Sequence, residues 1–226
     1  MLTAPEIADR LEEVRGRIAD VIRQARRESD SVRLVLASKT QPAAAVRAAF
    51  AAGARDFGEN WVQEAVSKRS VLPDLAIRWH LIGHLQTNKV RAAIETFDVI
   101  QTLDSQRLAT ALFRLRPLPP MPVLVEINLA GEITKSGIEP EGAEVLINSV
   151  RDQVDVRGLM TIPPMTGSAQ EAGQFFRQLR ELRDRLAAAT GLRLSELSMG
   201  MTDDFEAAIL EGATIVRVGR AVFGER

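Results

Sequence analysis

Short apolar runs alternate with amphipathic helical patterns along all 226 residues, and this alternation limits the possible folds more than any other feature of the sequence. The first run, residues 34–37 (LVLA), is too short for a core helix and has polar neighbours on both sides, as is typical of a buried parallel strand. Comparable runs recur at regular intervals along the chain. They predict strands near residues 33–39, 56–60, 78–83, 98–103, 122–128, 154–161, 194–199 and 214–219.

Helical patterns fill the gaps between the predicted strands. The first covers residues 4–28, where Thr3 and Glu6 form a capping-box pattern at the start. Its apolar residues recur three or four positions apart and predict a buried face of Ile7, Leu11, Val14, Ile18, Ile22 and Ala25. Further helices are predicted at residues 43–52, 90–97 and 172–189. Glycines typical of helix C-caps follow three helical patterns, at Gly53, Gly191 and Gly212.

Eight strands with seven helices between them, and one helix before the first strand, predict an α/β fold: a single (β/α)₈ TIM barrel with an extra N-terminal helix. The alternative is a doubly wound open sheet, which uses the same alternation. Residues 117–122 (PLPPMP) are interpreted as a rigid loop, so that residues 1–226 form one domain and no second domain is expected after Arg226. In a barrel, the reactive groups belong at the carboxyl ends of the strands.

Composition excludes several classes of function. The sequence has no cysteine, which rules out disulfides, thiolate catalysis and iron–sulfur ligation, and no tyrosine, which rules out a tyrosine acid or base. The net charge of -1 argues against nucleic-acid binding. No apolar run predicts a membrane span or a signal peptide, and we therefore expect a cytoplasmic protein.

Only four lysines stand among the 29 basic residues, and Lys39 is at the predicted end of the first strand. Strand alternation places Lys39 on the same face as Val35 and Ala37, which points into a barrel. A partly desolvated amine there has a lowered pKa and becomes a nucleophile. The alternative is a lysine that extends to solvent at the barrel mouth.

The last two predicted strands end in small residues, Ser198 to Thr202 (SMGMT) and Gly219-Arg220. Small residues before a helix start expose backbone N–H groups, and barrels often bind phosphate after strands seven and eight. The alternative is that the glycines only permit tight turns. Asp203 and Asp204 are predicted to point outward, because carboxylates would repel a phosphate.

Arg217 lies in the last predicted strand and also points inward, where an arginine requires an acceptor. A structural carboxylate, Glu126 or Glu196, would satisfy it. A reactive lysine, a phosphate site and a buried arginine together suggest a phosphorylated aldehyde. Pyridoxal 5′-phosphate (PLP) fits, with Lys39 forming the Schiff base and Arg217 beside the pyridine nitrogen.

Two weaker motifs are set aside. Residues 131–136 (GEITKS) resemble a phosphate-binding P-loop, but Thr134 occupies the position before Lys135 where that motif requires glycine. His80 and His84 surround a strand end, where a spacing of four does not bring side chains together, so no metal site is predicted.

Seven stretches, in order, resemble the family of pyridoxal phosphate homeostasis proteins, which are related in fold to the N-terminal barrel of alanine racemase (PLP fold type III). They are residues 37–40 (ASKT), 57–64 (FGENWVQE), 80–89 (HLIGHLQTNK), 128–137 (NLAGEITKSG), 158–162 (GLMTI), 197–203 (LSMGMTD) and 217–224 (RVGRAVFG). The resemblance implies a Schiff base on Lys39 and Arg217 at the pyridine nitrogen. It implies a phosphate site at Ser198, Gly200, Met201, Gly219 and Arg220, and a pocket lined by Asn60, His80 and Met160.

The resemblance also implies a role: binding PLP and buffering it or delivering it to apo PLP-dependent enzymes, without strong catalytic activity. One departure concerns Arg220, where the family usually has threonine or serine, so that a guanidinium replaces a hydroxyl. The arginine either pairs with the phosphate or turns to solvent. Trp61 likewise stands where the family commonly has tyrosine.

Two enzyme hypotheses remain beside the carrier. An amino-acid racemase of this fold uses a tyrosine from a second domain, and this sequence has no tyrosine. A phosphosugar aldolase would use Lys39 but leaves Arg217 without a role. We expect a monomer, and we expect Lys135 to be either a second amine for PLP or a solvent-facing charge.

Overall fold

The computed structural model describes residues 2–116, 118–132, 136–164 and 168–225. Within these residues, eight parallel strands pair in sequence order and the last pairs with the first, so that the sheet closes into a barrel. The strands are β1 (Arg33–Ala37), β2 (Asp56–Glu59), β3 (Arg78–Leu81), β4 (Val99–Leu103), β5 (Pro122–Glu126), β6 (Asp155–Met160), β7 (Glu196–Ser198) and β8 (Ile215–Val218). The predicted (β/α)₈ barrel is confirmed, and the open sheet is excluded.

Helices surround the barrel and connect its strands. They are α1 (Ala4–Gln24), α2 (Ala43–Ala51), α3 (Val62–Val71), α4 (Val90–Thr96), α5 (Gln106–Leu115), α6 (Ala143–Val150), α7 (Ala169–Thr190), α8 (Phe205–Leu210) and α9 (Arg220–Phe223). The extra N-terminal helix, α1, packs against α2, α8 and α9. None of the helices in the described segments combines the length and the apolar composition that a membrane crossing requires.

The predicted buried face of α1 is confirmed for its first five members, from Ile7 to Ile22, and the backbone N–H of Thr3 donates to the Glu6 carboxylate at 2.7 Å. The helix ends at Gln24 and not at residue 28, because Arg26 takes a positive φ of 53°. The three predicted C-cap glycines all have positive φ, at Gly53 (91°), Gly191 (71°) and Gly212 (99°).

Two apolar layers stabilise the barrel. The larger layer lies between the sheet and the surrounding helices, and a smaller cluster fills the barrel interior with Val35, Leu124, Met160 and Ile215. Side chains alternate across a strand, so the residue two positions after each of these inward residues also points inward, towards the mouth of the barrel. Ala37, Glu126 and Arg217 follow this rule.

The strands end one or two residues before the predicted positions at several carboxyl ends. In the first strand the regular structure stops at Ala37, and Lys39 lies in a turn instead of in the strand. The Ser38 carbonyl accepts from the Gln41 N–H at 2.9 Å, and Thr40 has a φ of 66°, so the chain reverses here. The predicted loop 117–122 precedes β5, except that Pro122 is already in the strand and Pro117 lies outside the described residues.

Candidate functional site

A cavity of about 460 Å³ opens at the carboxyl ends of the strands. Segments that follow β1, β2, β3, β6, β7 and β8 form its wall, together with residues near the end of the chain. The lining residues are Ala37, Lys39, Gln41, Asn60, Ile82, Ile162, Met201, Thr202, Asp203, Arg217, Gly219, Arg220, Gly224 and Glu225. This is the end of the barrel where the sequence predicts the reactive groups.

Six of the ten predicted binding residues line this cavity: Lys39, Asn60, Met201, Arg217, Gly219 and Arg220. The other four are buried behind the wall: His80, Met160, Ser198 and Gly200. Met160 packs with the apolar cluster inside the barrel, one layer below the cavity. The structure therefore brings the predicted residues together in two shells, one that faces the cavity and one that supports it.

The turn after β1 presents Lys39 to the cavity. Lys39 is partly buried, and the neighbouring Ala37 and Gln41 line the cavity with it. Lys39 faces the cavity from a turn and not from the strand itself. The residue before it, Ser38, continues the sheet by donating its N–H to the Gly58 carbonyl at 3.0 Å. Lys39 is thus anchored to the barrel on its N-terminal side.

Arg217 is a buried cation in the wall of the cavity, 3% exposed. Its guanidinium donates to Ser198 Oγ at 2.5 Å and to the Thr161 carbonyl at 2.8 Å. Burial lowers the pKa of Arg217 to about 10, with the charges of Glu126 and Asp204 opposing this shift, so the side chain remains cationic at neutral pH. A guanidinium has five N–H donors, and these two bonds use only some of them.

Within the described part of the chain, the Arg217 side chain is hydrogen-bonded to Ser198 and Thr161 and to neither predicted carboxylate. Glu196 Oε1 lies 3.4 Å from Arg33 Nη1, at the opposite end of the barrel. Glu126 accepts from Ser136 Oγ at 3.0 Å, and burial raises the pKa of Glu126. The sequence correctly places Arg217 on the inward face of the sheet. It does not predict that its acceptors are neutral groups, the Ser198 hydroxyl and the Thr161 carbonyl.

A chain of hydrogen bonds crosses the barrel interior from Arg217. Ser198 Oγ accepts from Arg217 and donates to Gln101 Oε1 at 2.6 Å. Gln101 Nε2 then lies 3.0 Å from His80 Nδ1, and His80 Nε2 lies 2.9 Å from Asp56 Oδ1. Because an arginine can only donate and an ionised carboxylate only accept, every bond in the chain points from Arg217 towards Asp56.

This direction assigns a neutral His80 that carries its proton on Nε2. Burial lowers the pKa of His80, and the hydrogen bond to Asp56 opposes that shift only in part. His80 was predicted to line the pocket; the structure instead places it fully buried, as a support for Gln101. Gln101 was missed, although a polar residue within the apolar run of β4 is a signal that the sequence contains.

Glycine is required at the loop after β7 that forms the predicted phosphate site. Gly200 has a φ of 91°, and a Cβ there would lie 2.5 Å from the Ala208 Cβ on α8. Its carbonyl accepts from the Arg217 N–H at 3.0 Å, which joins the loop to β8. At Gly219, a Cβ would approach the Ala37 carbonyl oxygen to 2.9 Å. Both glycines therefore permit close backbone contacts next to the cavity.

The prediction that Asp203 and Asp204 point outward fits Asp203, whose side chain is 76% exposed, but not Asp204, which is half-buried. Asp203 lines the cavity, where Arg220 is ion-paired with it. Asp204 accepts from the Met201 N–H at 2.6 Å, and burial raises the pKa of Asp204. Each carboxylate has a local donor: the Arg220 guanidinium for Asp203 and the Met201 N–H for Asp204. Arg220, whose side chain is 47% exposed, is ion-paired with Asp203, and its Nε lies 3.7 Å from Glu225 Oε1.

Asn60 is positioned by the loop after β3. A Cβ at Gly83 would lie 2.4 Å from the Asn60 carbonyl oxygen, so only glycine allows the two segments to approach so closely. The next residue, Trp61, is 64% exposed at the start of α3. Asn60 thus closes one side of the cavity, while the side chain that follows it faces outward.

A buried ionic cluster behind the Lys39 turn was missed by the sequence analysis. Lys68 on α3 is 6% exposed, and its Nζ lies 2.6 Å from Glu59 Oε1 and 2.7 Å from Glu64 Oε1. Burial raises the pKa of Glu59, while its bonds to Lys68 and Ser38 oppose this. Lysine is rare in this sequence, which singles out Lys68 as much as Lys39. Lys68 lies on a helix, however, and helical periodicity does not predict its contacts with the end of β1.

Of the two weaker motifs, the histidines lie in the described part of the chain, whereas residues 133–135 of the P-loop-like stretch lie outside it. Within the described residues no group of three metal-ligating side chains is found, and His80 and His84 contact different carboxylates, Asp56 and Asp104. Lys135 lies outside the described residues.

Comparison with known proteins identifies the relatives of this chain. Residues 14–226 match the family model of the alanine racemase N-terminal domain. A pyridoxal phosphate homeostasis protein of Pseudomonas aeruginosa is 45% identical over 97% of this chain and 96% of the relative. One from Aquifex aeolicus is 42% identical, covering 96% of this chain and 97% of the relative.

Solved structures give a consistent result. PipY of Synechococcus elongatus PCC7942, in a structure with PLP bound, superposes with a TM-score of 0.84 at 41% identity, covering 96% of this chain and 100% of PipY. An alanine racemase of Clostridium difficile superposes with a TM-score of 0.75, but at 14% identity and over 57% of its own chain. The racemase likeness therefore concerns the barrel fold alone.

Proposed function

The chain belongs to the family of pyridoxal phosphate homeostasis proteins, and from this premise we propose that it binds PLP in the cavity at the carboxyl ends of the strands, with residues 1–226 acting as one binding domain. The observation that carries the proposal is that Lys39 and the buried cation Arg217 line the same cavity. Its volume of about 460 Å³ is within the range of small-molecule sites. The PLP bound to PipY supports the same assignment.

The residues of the cavity fit the chemistry of PLP. The cofactor supplies an aldehyde, which a lysine amine holds as a Schiff base with the loss of one water molecule. We assign that amine to Lys39. Arg217, cationic with a pKa of about 10, would donate to the pyridine nitrogen of a bound PLP and so disfavour protonation of that nitrogen. Asn60 lines the same cavity and is assigned to the binding site.

The loops after β7 and β8 are assigned to the phosphate. Met201, Gly219 and Arg220 line the cavity here, and Ser198 and Gly200 support them from behind. Arg220 pairs with Asp203, which is 76% exposed at the side chain, so the guanidinium can exchange this partner for a phosphate at little cost. His80 and Met160 act from the barrel interior.

We propose that the protein stores PLP or delivers it to apo PLP-dependent enzymes and has no strong catalytic activity of its own. An arginine at the pyridine nitrogen weakens the ring as an electron sink, which does not suit racemisation. The sequence also lacks a tyrosine, the acid or base that an alanine racemase uses opposite the lysine. A monomer in the cytoplasm is proposed, and light scattering and cell fractionation check these two points.

The binding proposal is tested by visible absorbance. PLP added to the purified protein is expected to produce the absorption band of a lysine Schiff base, and Lys39→Ala is expected to abolish it. Borohydride reduction followed by peptide mapping should place the cofactor on Lys39, because reduction makes the link permanent.

Lys89→Ala is the matched control, since Lys89 is a partly buried lysine that does not line the described cavity. It should bind PLP as the unmodified protein does. A wild-type protein that remains colourless after PLP is added would overturn the proposal. Colour also separates PLP binding from a phosphosugar aldolase, whose lysine adduct does not absorb visible light.

A further inference from the structure

Lys68 is a second lysine whose amine is fully engaged beside the cavity. Its Nζ donates to the Ser38 carbonyl at 2.6 Å, to Glu59 Oε1 at 2.6 Å and to Glu64 Oε1 at 2.7 Å. An ammonium group has three protons, so each of these acceptors receives one. A charge that is 7% exposed at the side chain requires such compensation, because burying it unpaired is costly.

These contacts hold the residues on both sides of Lys39. On the N-terminal side, the Ser38 carbonyl accepts from Lys68, and Ser38 Oγ donates to Glu59 Oε1 at 2.6 Å. On the C-terminal side, the Thr40 N–H donates to Glu64 Oε1 at 2.5 Å. Lys68, Glu59 and Glu64, which we call the Lys68 cluster, therefore contact both flanks of the turn that carries Lys39.

The turn itself has a conformation that its sequence does not favour. Thr40 has a φ of 66°, in the left-handed region that a β-branched residue rarely adopts. Such a conformation persists only where surrounding contacts hold it, and Glu64 provides one at the Thr40 N–H. Without that contact, we expect Thr40 to return to a more favourable backbone conformation and Lys39 to shift with the turn.

We infer that Lys68 is a positioning residue for Lys39: together with Glu59 and Glu64 it fixes the Ser38–Thr40 turn so that the Lys39 amine reaches the ligand. Lys68 and both carboxylates are absent from the cavity wall as described, so they act through the turn and not on the ligand. The inference rests on the proposed PLP site. The plain alternative is an ionic cluster that only fastens α3 to the barrel.

Two ligands separate these roles. PLP has an aldehyde that Lys39 can bind covalently, whereas pyridoxine 5′-phosphate has an alcohol at the same position and binds only through its ring and phosphate. If the Lys68 cluster positions the Lys39 amine, weakening it should lower the affinity for PLP and spare the affinity for the alcohol. A general loss of packing should lower both.

Glu64→Ala is the first variant, because this side chain is 24% exposed on a helix and its removal should leave the protein folded. We expect the dissociation constant for PLP to rise about tenfold, as for a lost charge-assisted hydrogen bond, and that for pyridoxine 5′-phosphate to change by less than about twofold. Glu64→Gln keeps an oxygen acceptor for Thr40 and should restore most of the PLP affinity.

Lys68→Met tests the cluster directly, and Glu95→Ala on α4 is the control, since Glu95 is an exposed helical glutamate. Lys68→Met should raise the PLP constant at least as much as Glu64→Ala, again more than the constant of the alcohol. Equal changes for both ligands, or no change for either, would overturn the inference. Failure of the proposed function is recognised separately, because it appears as absent PLP binding in the unmodified protein.

Discussion

At the scale of single residues, surroundings decide what identical side chains do. Lys39 and Lys68 are both lysines close to the end of β1, yet one lines the cavity and the other donates to a carbonyl and two carboxylates. The same holds for the two histidines. His80 is fully buried between Asp56 and Gln101, whereas the side chain of His84 is 53% exposed.

The hydrogen-bond chain through the barrel predicts the protonation state of His80. Burial lowers the pKa of His80 below its ordinary value, so at pH 7.5 we expect a neutral ring with the proton on Nε2. Nitrogen-15 NMR of the imidazoles measures both points. The sequence has only two histidines, and the exposed His84 serves as the internal reference.

A neutral His80 ring that carries its proton on Nδ1 at pH 7.5 would contradict the assigned direction of the hydrogen-bond chain. The sign of the pH effect follows from the same shift. The unfolded chain binds the His80 proton more readily than the folded protein, so the free energy of unfolding should fall as the pH drops below about 6.5. His80→Gln, which cannot titrate, should reduce this dependence.

At the scale of elements, strands and helices are set locally, but the loops between them are not. The prediction located all eight strands and missed mainly their carboxyl ends, as at Lys39, which lies in a turn. That turn is shaped by Lys68 and Glu64 from the next βα unit. Hydrophobic periodicity cannot show such contacts, because they involve polar atoms of another element.

The loop between β7 and α8 gives a prediction at this scale. Gly200→Ala should lower the free energy of unfolding by about 2–4 kcal/mol, because the new Cβ combines a left-handed backbone with a 2.5 Å approach to Ala208. Urea denaturation measures the change. Loss of PLP binding should accompany it, since this loop supports the assigned phosphate site.

Gly173→Ala is the matched control for that substitution. Gly173 lies within α7, and a Cβ there would meet nothing within 4 Å. Alanine should therefore stabilise the protein by about 0.5–1 kcal/mol through its helix propensity. If both substitutions had the same effect, the close contact at Gly200 would not be the cause.

At the scale of the whole molecule, barrel closure creates the site. Lys39 and Arg217 lie far apart in the sequence but close together in the barrel, because β8 pairs with β1, which places Arg217 opposite Val35, and Lys39 lies in the turn that follows β1. Two of the residues that line the cavity, Ile162 and Met201, are exposed. Their exposure is consistent with the proposed release of the ligand.

The carrier role predicts transfer of PLP between whole molecules. Mixed with an apo PLP-dependent enzyme, the PLP-loaded protein should restore enzyme activity faster than PLP leaves the protein spontaneously. The spontaneous rate is measured with an excess of an amine that traps free PLP. Recovery no faster than that rate would replace delivery with storage and would leave the binding proposal intact.

The sequence by itself determined the barrel architecture and the end of the barrel at which Lys39 and Arg217 line one cavity. The alternation of short apolar runs with helical patterns is compatible with few folds. Because the sequence has only four lysines, the position of Lys39 at the end of a predicted strand is informative. Strand alternation correctly pointed Arg217 into the barrel. These features are local or periodic, so they can be predicted from the sequence without knowing which elements become neighbours.

Only the tertiary structure decided which polar groups meet. It paired Arg217 with Ser198 and Thr161 instead of Glu126 or Glu196, and it placed His80 behind the cavity. It also brought α3 to the turn after β1, so that Lys68 contacts the residue before Lys39. Hydrogen bonds and ion pairs require their atoms to lie about 3 Å apart. For atoms that are distant in the sequence, only the closed barrel and the packing of its helices bring them that close.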